Sequence, residues 1–268
     1  MKIFILNSMK SGLDTMSLLA GEISIKGIIG LSCEHLRDDT LVNNSKFCEE
    51  RKIDYFELDT YTCTSDKDKE TLSKLEIDLL IVVGWQRLIP EWLINHCKVS
   101  AIGIHGSPLG ITEGRGRSPQ NWALISGSNR FELSIFKIDN NADSGSLYDT
   151  STFTISPFDD ISTTYKKVCI HSAEMIIKNI KNGNIINNKL KKQEGVPSFL
   201  PKREPEDGFI DWKRSSAEIY NFVRALTRPY PGAFSRISKL KLKIWSGIPF
   251  NLDVNIGNAP GQIVKIFE

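Results

Sequence analysis

The sequence predicts a doubly wound α/β protein built on a mostly parallel sheet, with a small β-rich unit at its C-terminal end. Three observations carry that expectation. Short apolar, β-branched runs alternate with helix-like segments through the first two thirds of the chain. A polar, proline-containing stretch at 184–208 then breaks the pattern. Beyond it the apolar spacing fits one helix followed by short strands.

KIFILN (2–7) reads as a buried first strand, too short and too soon polar for a signal peptide. ISIKGIIGL (23–31), DYFEL (54–58), DLLIVVG (78–84), VSAIGIH (99–105) and ELSIFKID (132–139) supply further strands. Helix-like segments at 11–20, 40–51, 66–75, 87–96 and 118–126 lie between them, and crossovers of this kind are what parallel strands require. The result is a Rossmann-like order. From Ile161, apolar residues at Tyr165, Val168, Cys169, Met175, Ile176 and Ile180 recur at helical spacing, and Gly183 offers a stop. We therefore expect a sheet domain over 1–195. Residues 196–268 read as a linker and a small, OB-like β unit, with a helix at 215–226, a turn RPYPGAF and strand-like runs at 233–237, 240–246 and 262–267.

Composition narrows the function. With 40% hydrophobic and 25% charged residues the chain has the profile of a globular protein, and no apolar run nears the roughly 18 residues needed to span a bilayer. The expected address is the cytoplasm, with no membrane partner. Five scattered cysteines without a CxxC indicate neither a disulfide framework nor a metal centre. Thirty-four basic against 32 acidic residues leave none of the cationic excess of a protein that grips phosphate backbones, so no nucleic-acid partner is expected. GRGRSP lacks the strand, GxGxxG, helix order of a dinucleotide site, and no GxxxxGK[ST] occurs.

In an open parallel sheet, ligands bind beyond the carboxyl ends of the strands. His105 ends one apolar run, and Asp143 follows another through the turn NNADSG. Together an imidazole and a carboxylate offer proton transfer near neutral pH. Taken singly, a strand-end histidine is more often structural and an aspartate before Ser-Gly more often a turn former.

The blocks IDLLIVVGWQRLIPEWLI, GIHGSPLG, RGRSPQNWALISG and ADSG, in that order, resemble the folate-dependent formyltransferases, whose pattern is Asn-x-His-x-Ser-Leu-Leu-Pro, then Arg-Gly-x-x-Pro, then Asp-x-Gly. FIDWKRSSAEIYNFVRALTRPYPGAFS is similar to the C-terminal domain of the same family, and the details lie nearest the sugar nucleotide formyltransferases. The resemblance implies 10-formyltetrahydrofolate as donor and an amino sugar, nucleotide-linked, as acceptor, with a homodimer as the assembly to look for. It implies that His105 and Asp143 are catalytic. It implies further that Gly84, Trp85, Gln86, Arg87, Leu88, Ile89 and Pro90, with Asp139, Asn140, Asn141 and Ala142, surround the pterin. Gly103, Gly106, Ser107, Arg115, Gly116 and Arg117 fall on the acceptor side, the arginines toward phosphates, although an Arg-Gly-Arg loop is also an ordinary solvated one.

One position departs from the pattern. Gly103 stands where the family has the asparagine, which removes an amide donor from the place where negative charge develops. Loss of one such donor in other enzymes costs about 3 to 4 kcal/mol. Gln86, Gln120 and Asn141 are the candidate substitutes, and a water could enter the vacated volume. Three readings stay open: an N-formyltransferase with an altered oxyanion site, the same scaffold with another acyl donor, and a non-catalytic relative that binds sugar nucleotide or folate. A methionyl-tRNA formyltransferase is disfavoured because CEHLRDDTLVNNSKFCEE lacks a basic insertion.

Overall fold

The computed structural model describes residues 1–36, 41–250, 259–264 and 266. Its elements are β1 (Ile3–Leu6), α1 (Lys10–Ala20), β2 (Gly27–Leu31), α2 (Ser45–Arg51), β3 (Asp54–Leu58), α3 (Asp66–Ser73), β4 (Leu79–Val82), α4 (Glu91–His96) and β5 (Ser100–Ser107). Then follow α5 (Gly110–Glu113), β6 (Arg115–Gly116), α6 (Pro119–Ile125), β7 (Arg130–Lys137), β8 (Leu147–Thr154), α7 (Ile161–Lys181), β9 (Phe199–Leu200), α8 (Ser216–Leu226), β10 (Ala233–Ile237) and β11 (Leu240–Ile244).

Seven strands form one sheet in the order β3-β2-β1-β4-β5-β7-β8. β1 and β2 are buried throughout, as strands covered by helices on both faces must be. The chain runs outward from β1 to β3 and returns to β4 on the other side of β1, so strand order reverses between β1 and β4. A crevice opens at that reversal.

The predicted alternation of strands and helices is present through β7, with differences of detail. β5 continues to Ser107, so His105 lies within the strand and not at its end. The glycine-rich residues after it are organised by α5 and the two-residue β6. β7 runs antiparallel to β5, and β8 antiparallel to β7. β8 was missed by the sequence reading because LYDTSTFT buries only Tyr148 and Phe153, and an edge strand of threonines has little apolar signal.

The helix from Ile161 forms where expected. Asp160 and Thr163 make a capping box at its start, and Gly183 takes a positive φ of 69° just past its end. α8 is likewise started by a Ser215–Glu218 capping box. It packs against α6 and α7, and Asn121 Nδ2 donates to the Ala225 carbonyl at 2.7 Å. One apolar cluster runs from Ile5 and Ile81 in the sheet to Val223, Leu226 and Ala233. β10 and β11 form an antiparallel hairpin. The strand expected at 262–267 falls partly outside the described residues, and 262–264 carry no regular structure. Among the described residues, no helix is long and apolar enough to cross a membrane.

Candidate functional site

A cleft of about 670 Å³ lies at the reversal of strand order, bounded by the segments after β4, β5 and β7, by α1 and α7, and by Lys202, Arg203 and Tyr230 from the C-terminal third. That volume falls within the usual range for small-molecule sites. Its floor depends on the close approach of three residues. Asn7, fully buried at the end of β1, sits so near Gly12 and Gly84 that a Cβ on either would meet its Oδ1 at 2.0 or 2.2 Å. Gly84 also has φ of 58°, so glycine is doubly required there.

His105 and Asp143 face each other across this cleft. Nδ1 of the ring is 3.5 Å from Asp143 Oδ2, within ion-pair range. Nε2 is 2.7 Å from the carbonyl oxygen of Gly114. A carbonyl only accepts, so Nε2 carries a proton and the neutral ring presents its lone pair at Nδ1. Histidine 105 is only 9% exposed, which holds the imidazole in one orientation. Gly114 is itself pressed against Ser107, where a Cβ would sit 1.7 Å from Oγ. No larger residue could bring that carbonyl to His105.

Asp143 adopts a left-handed backbone with φ of 53°. The turn before it is tied by Asp139 Oδ1, which accepts from Asn141 N at 3.0 Å and from Ser144 Oγ. After it, Gly145 passes so close to β7 that a Cβ would lie 1.6 Å from the Lys137 carbonyl. Gly116 N–H donates to Asp143 Oδ2 at 3.4 Å. This loop therefore aims one carboxylate oxygen at the histidine.

Of the remaining expected site residues, Gly84, Trp85, Gln86, Arg87, Leu88, Ile89, Asp139, Asn141, Ala142, Gly103, Gly116 and Arg117 line the cleft. Pro90, Asn140, Gly106, Ser107 and Arg115 do not. Gly106 is packed under Phe131 and Leu133, and Ser107 Oγ accepts from Leu109 N at 2.9 Å. Arg115, 9% exposed, turns inward and donates to Gln193 Oε1 at 2.8 Å. The contact with acceptor phosphates expected of Arg115 is not available from that position. Arg117 is exposed at the rim, where Nη2 donates to Gln86 Oε1 at 3.3 Å.

The vacated volume expected at Gly103 does not exist. In the β5–β7 pairing Gly103 lies opposite Phe136, and a Cβ at 103 would meet that ring at 2.8 Å and Ile138 Cγ1 at 3.2 Å. The far edge of the Phe136 ring stands where an asparagine side chain would begin. Gln86, Gln120 and Asn141 all line the cleft, and Gln120 Oε1 is buried without a hydrogen-bond partner.

Two further groups belong to the cleft wall beyond the residues expected from the family pattern. Tyr165 of α7 and Tyr230 of the RPYPGAF turn, a turn that the sequence offers as a border of the crevice or as a structural corner, join hydroxyls at 2.8 Å, and burial pushes both phenols up. Tyr165 had been counted as an apolar position of its helix. Arg203 stacks between Trp122 and Phe222, with its guanidinium 4.9 and 5.5 Å from the ring centres. Its only sequence signal was a basic pair inside a segment that reads as linker.

Comparison with known proteins bears on the family and the fold. Residues 42–180 match the sequence model described as "Formyl transferase", and 202–268 match "Formyl transferase, C-terminal domain". Over 197 residues the chain is 35% identical to the bifunctional polymyxin resistance protein ArnA of Wigglesworthia glossinidia brevipalpis, covering 72% of this chain but 29% of that protein. HypX from Aquifex aeolicus in complex with tetrahydrofolic acid shares the fold with a TM-score of 0.66 at 18% identity, over 98% of this chain and 40% of HypX. An N-formyltransferase from Helicobacter canadensis, in complex with folinic acid and dTDP-3-aminofucose, gives 0.67 at 17% identity, over 91% of this chain and 86% of its own. The chain thus spans less than a third of ArnA and less than half of HypX. With both sequence models matched in chain order, the chain belongs to the formyl transferase family.

Proposed function

We propose that the protein is an N-formyltransferase that moves a formyl group from 10-formyltetrahydrofolate to the amine of a nucleotide-linked amino sugar, in the making of a surface polysaccharide. The observation that carries this reading is the His105–Asp143 pair, fixed across a cleft by Gly114 and Gly116. The relatives add support, since one was solved with tetrahydrofolic acid and another with folinic acid and a dTDP-amino sugar. The cleft suits such a pair of ligands in chemistry as well as size. Trp85, Ile89, Phe136 and Ile138 give the lining apolar surface for a flat ring system, while Arg117, Lys202 and Arg203 add positive charge to it.

When bound, 10-formyltetrahydrofolate supplies a carbonyl carbon open to attack by an amine. The chain supplies the proton path. Because the Gly114 carbonyl holds the proton at Nε2, His105 Nδ1 is free to take the proton that the amine loses. Asp143 then faces an imidazolium instead of a neutral ring and stabilises it. The charged ring returns the proton to the departing nitrogen and, before doing so, offers positive charge to the developing oxyanion in place of the missing amide.

The test is incubation with 10-formyltetrahydrofolate and a panel of UDP-, dTDP- and free amino sugars, following tetrahydrofolate release and the mass of the sugar. A mass gain of one formyl group supports the proposal; sugar-nucleotide binding without turnover would oppose it. The aromatic cover at Gly103 favours one alternative, the same scaffold with another acyl donor. An acetyl-sized gain would identify that case.

A further inference from the structure

We propose that Gln193, braced by Arg115, is a positioning residue that sets Asp143 for its work with His105. The inference rests on the formyl-transfer reading only in assigning work to that pair. Gln193 lies in the polar stretch after α7, fifty residues beyond Asp143 in sequence. It does not line the cleft. Its amide nevertheless reaches into the turn that carries Asp143: Nε2 donates to the Asp143 carbonyl at 2.7 Å and to the Gly145 carbonyl at 2.9 Å. Its Oε1 accepts from Arg115 Nη2 at 2.8 Å and from Thr112 Oγ1 at 3.1 Å.

A glutamine side chain has two N–H donors and one oxygen with two lone pairs. All four are used. The two carbonyls on one side and the guanidinium on the other also fix which end of the amide is nitrogen, because the reversed orientation would set oxygen against oxygen twice.

The clamp is placed where Asp143 is least stable by itself. A non-glycine residue with positive φ is uncommon, although aspartate tolerates it better than most, and such a conformation persists when its surroundings over-determine it. Gln193 holds the carbonyls of Asp143 and Gly145, and Gly116 N–H holds the carboxylate. Arg115 completes the device. It is 9% exposed, its Nε is buried without a partner, and it makes no ion pair among the described residues, so its guanidinium is directed to the Gln193 oxygen through Nη2. A cation on the amide oxygen polarises the amide and strengthens donation from its nitrogen.

The same short segment also orients the histidine, because Gly114, adjacent to Arg115, provides the carbonyl that binds Nε2. Residues 114–116 therefore hold His105 directly and Asp143 twice, once through Gly116 and once through Arg115 and Gln193. This accounts for a buried arginine in a loop that reads as a basic rim.

Two variants test the proposal. Gln193→Met has similar length but neither donates nor accepts as an amide does. Gln193→Glu keeps the bonds from Arg115 and Thr112, and gains an ion pair, but sets a carboxylate oxygen against the two carbonyls. A role confined to tying down the linker would be rescued by glutamate; positioning of Asp143 would not. We expect both variants to retain folding and to lose about 10- to 100-fold in kcat, with KM for donor and acceptor within about twofold. Independently of turnover, the crystal structure of Gln193→Met should show the Asp143 turn displaced, with Oδ2 withdrawn from its 3.5 Å approach to His105 Nδ1. Wild-type kcat in Gln193→Glu would overturn the proposal, and so would an unmoved Asp143 carboxylate in Gln193→Met. If the wild-type protein transfers no formyl group, that result refutes the function, and the position of Asp143 in the variant alone decides the role of Gln193.

Discussion

Asparagine placed at position 103, the residue that the family pattern calls for, meets the ring of Phe136 before it meets any substrate. Its Cβ would lie 2.8 Å from Cζ and 3.1 Å from Cε1 of that ring, and 3.2 Å from Ile138 Cγ1. Phe136 is 5% exposed and lines the cleft, so it can yield mainly by swinging into the space where a ligand would sit. Overpacking of this kind destabilises by about 1 to 3 kcal/mol. At about 2 to 4 °C per kcal/mol for a chain of this size, Gly103→Asn should lower Tm by roughly 2 to 12 °C. Its formyl transfer should stay at or below the wild-type rate. Phe136→Ala alone removes a buried ring and should cost about 3 to 5 kcal/mol. In the double variant the asparagine fills the space that the ring has left. The combined loss should therefore fall short of the sum by about 1 to 3 kcal/mol. Urea unfolding of the four proteins measures that coupling. Losses that add to within about 0.5 kcal/mol would mean that the ring does not cover position 103, and the reasoning fails. The same cycle has a catalytic arm, because formyl transfer by the double variant should exceed that of Phe136→Ala if the restored amide reaches the oxyanion.

Three further outcomes are expected. His105→Ala should lose about 100-fold or more in kcat, as removal of a general base does, and Asp143→Asn should lose less while keeping KM; a His105→Ala protein at wild-type rate would remove the ring from the mechanism. Burial pushes the Cys48 thiol up to about 11 and those of Cys63 and Cys97 up to about 12, and it raises Cys169 as well, whereas Cys33 is exposed. A disulfide reagent added to the native protein at neutral pH should thus find one fast thiol, and Cys33→Ser should abolish that phase. Burial works against ionisation of Asp159, but Lys167 Nζ and Ser156 N–H, each 2.6 Å from Oδ2, outweigh it and hold the carboxyl below its usual range. A depressed folded-state value means that the ionised carboxylate stabilises the protein above the ordinary range near pH 4 and stops doing so as pH falls through the lower value. Asp159→Asn should cost about 1 to 3 kcal/mol at pH 7 and progressively less in acid; a gap that does not change with pH would contradict the ion pair.

The fold was legible because its central strands are buried on both faces. Runs such as KIFILN and DLLIVVG need no alternation to announce themselves, and the helices between them require parallel crossovers. Strand direction past β5 was not legible. α5, β6 and α6 intervene before β7, as a parallel crossover would have it, yet the chain returns antiparallel. Nothing in ELSIFKID distinguishes the two cases, since a strand buried on both faces shows the same residues whichever way it runs. The edge strand β8 failed for the opposite reason: it has too few apolar residues for its period to be seen.

That difference in strand direction explains what could and could not be read of the site. His105 and Asp143 were named because each falls in a block of the family pattern; the local signals, the end of an apolar run and a turn, fit structural roles as well, and His105 proves to lie within its strand. The consequence of Gly103 was missed because it depends on register. Only the antiparallel pairing of β5 with β7 sets Phe136 against Gly103, and in a parallel sheet a different side chain would have covered that position. Gln193 was missed because its work is done entirely by hydrogen bonds to main-chain carbonyls and to a buried guanidinium, and neither kind of partner has a spacing to detect. A chemical pair can thus be named from a family pattern, while the groups that aim it are found only where the backbone passes. Arg115 shows the cost of reasoning from type alone. Its charge suggested a phosphate, and its position gives that charge to an amide oxygen that holds Asp143 in place.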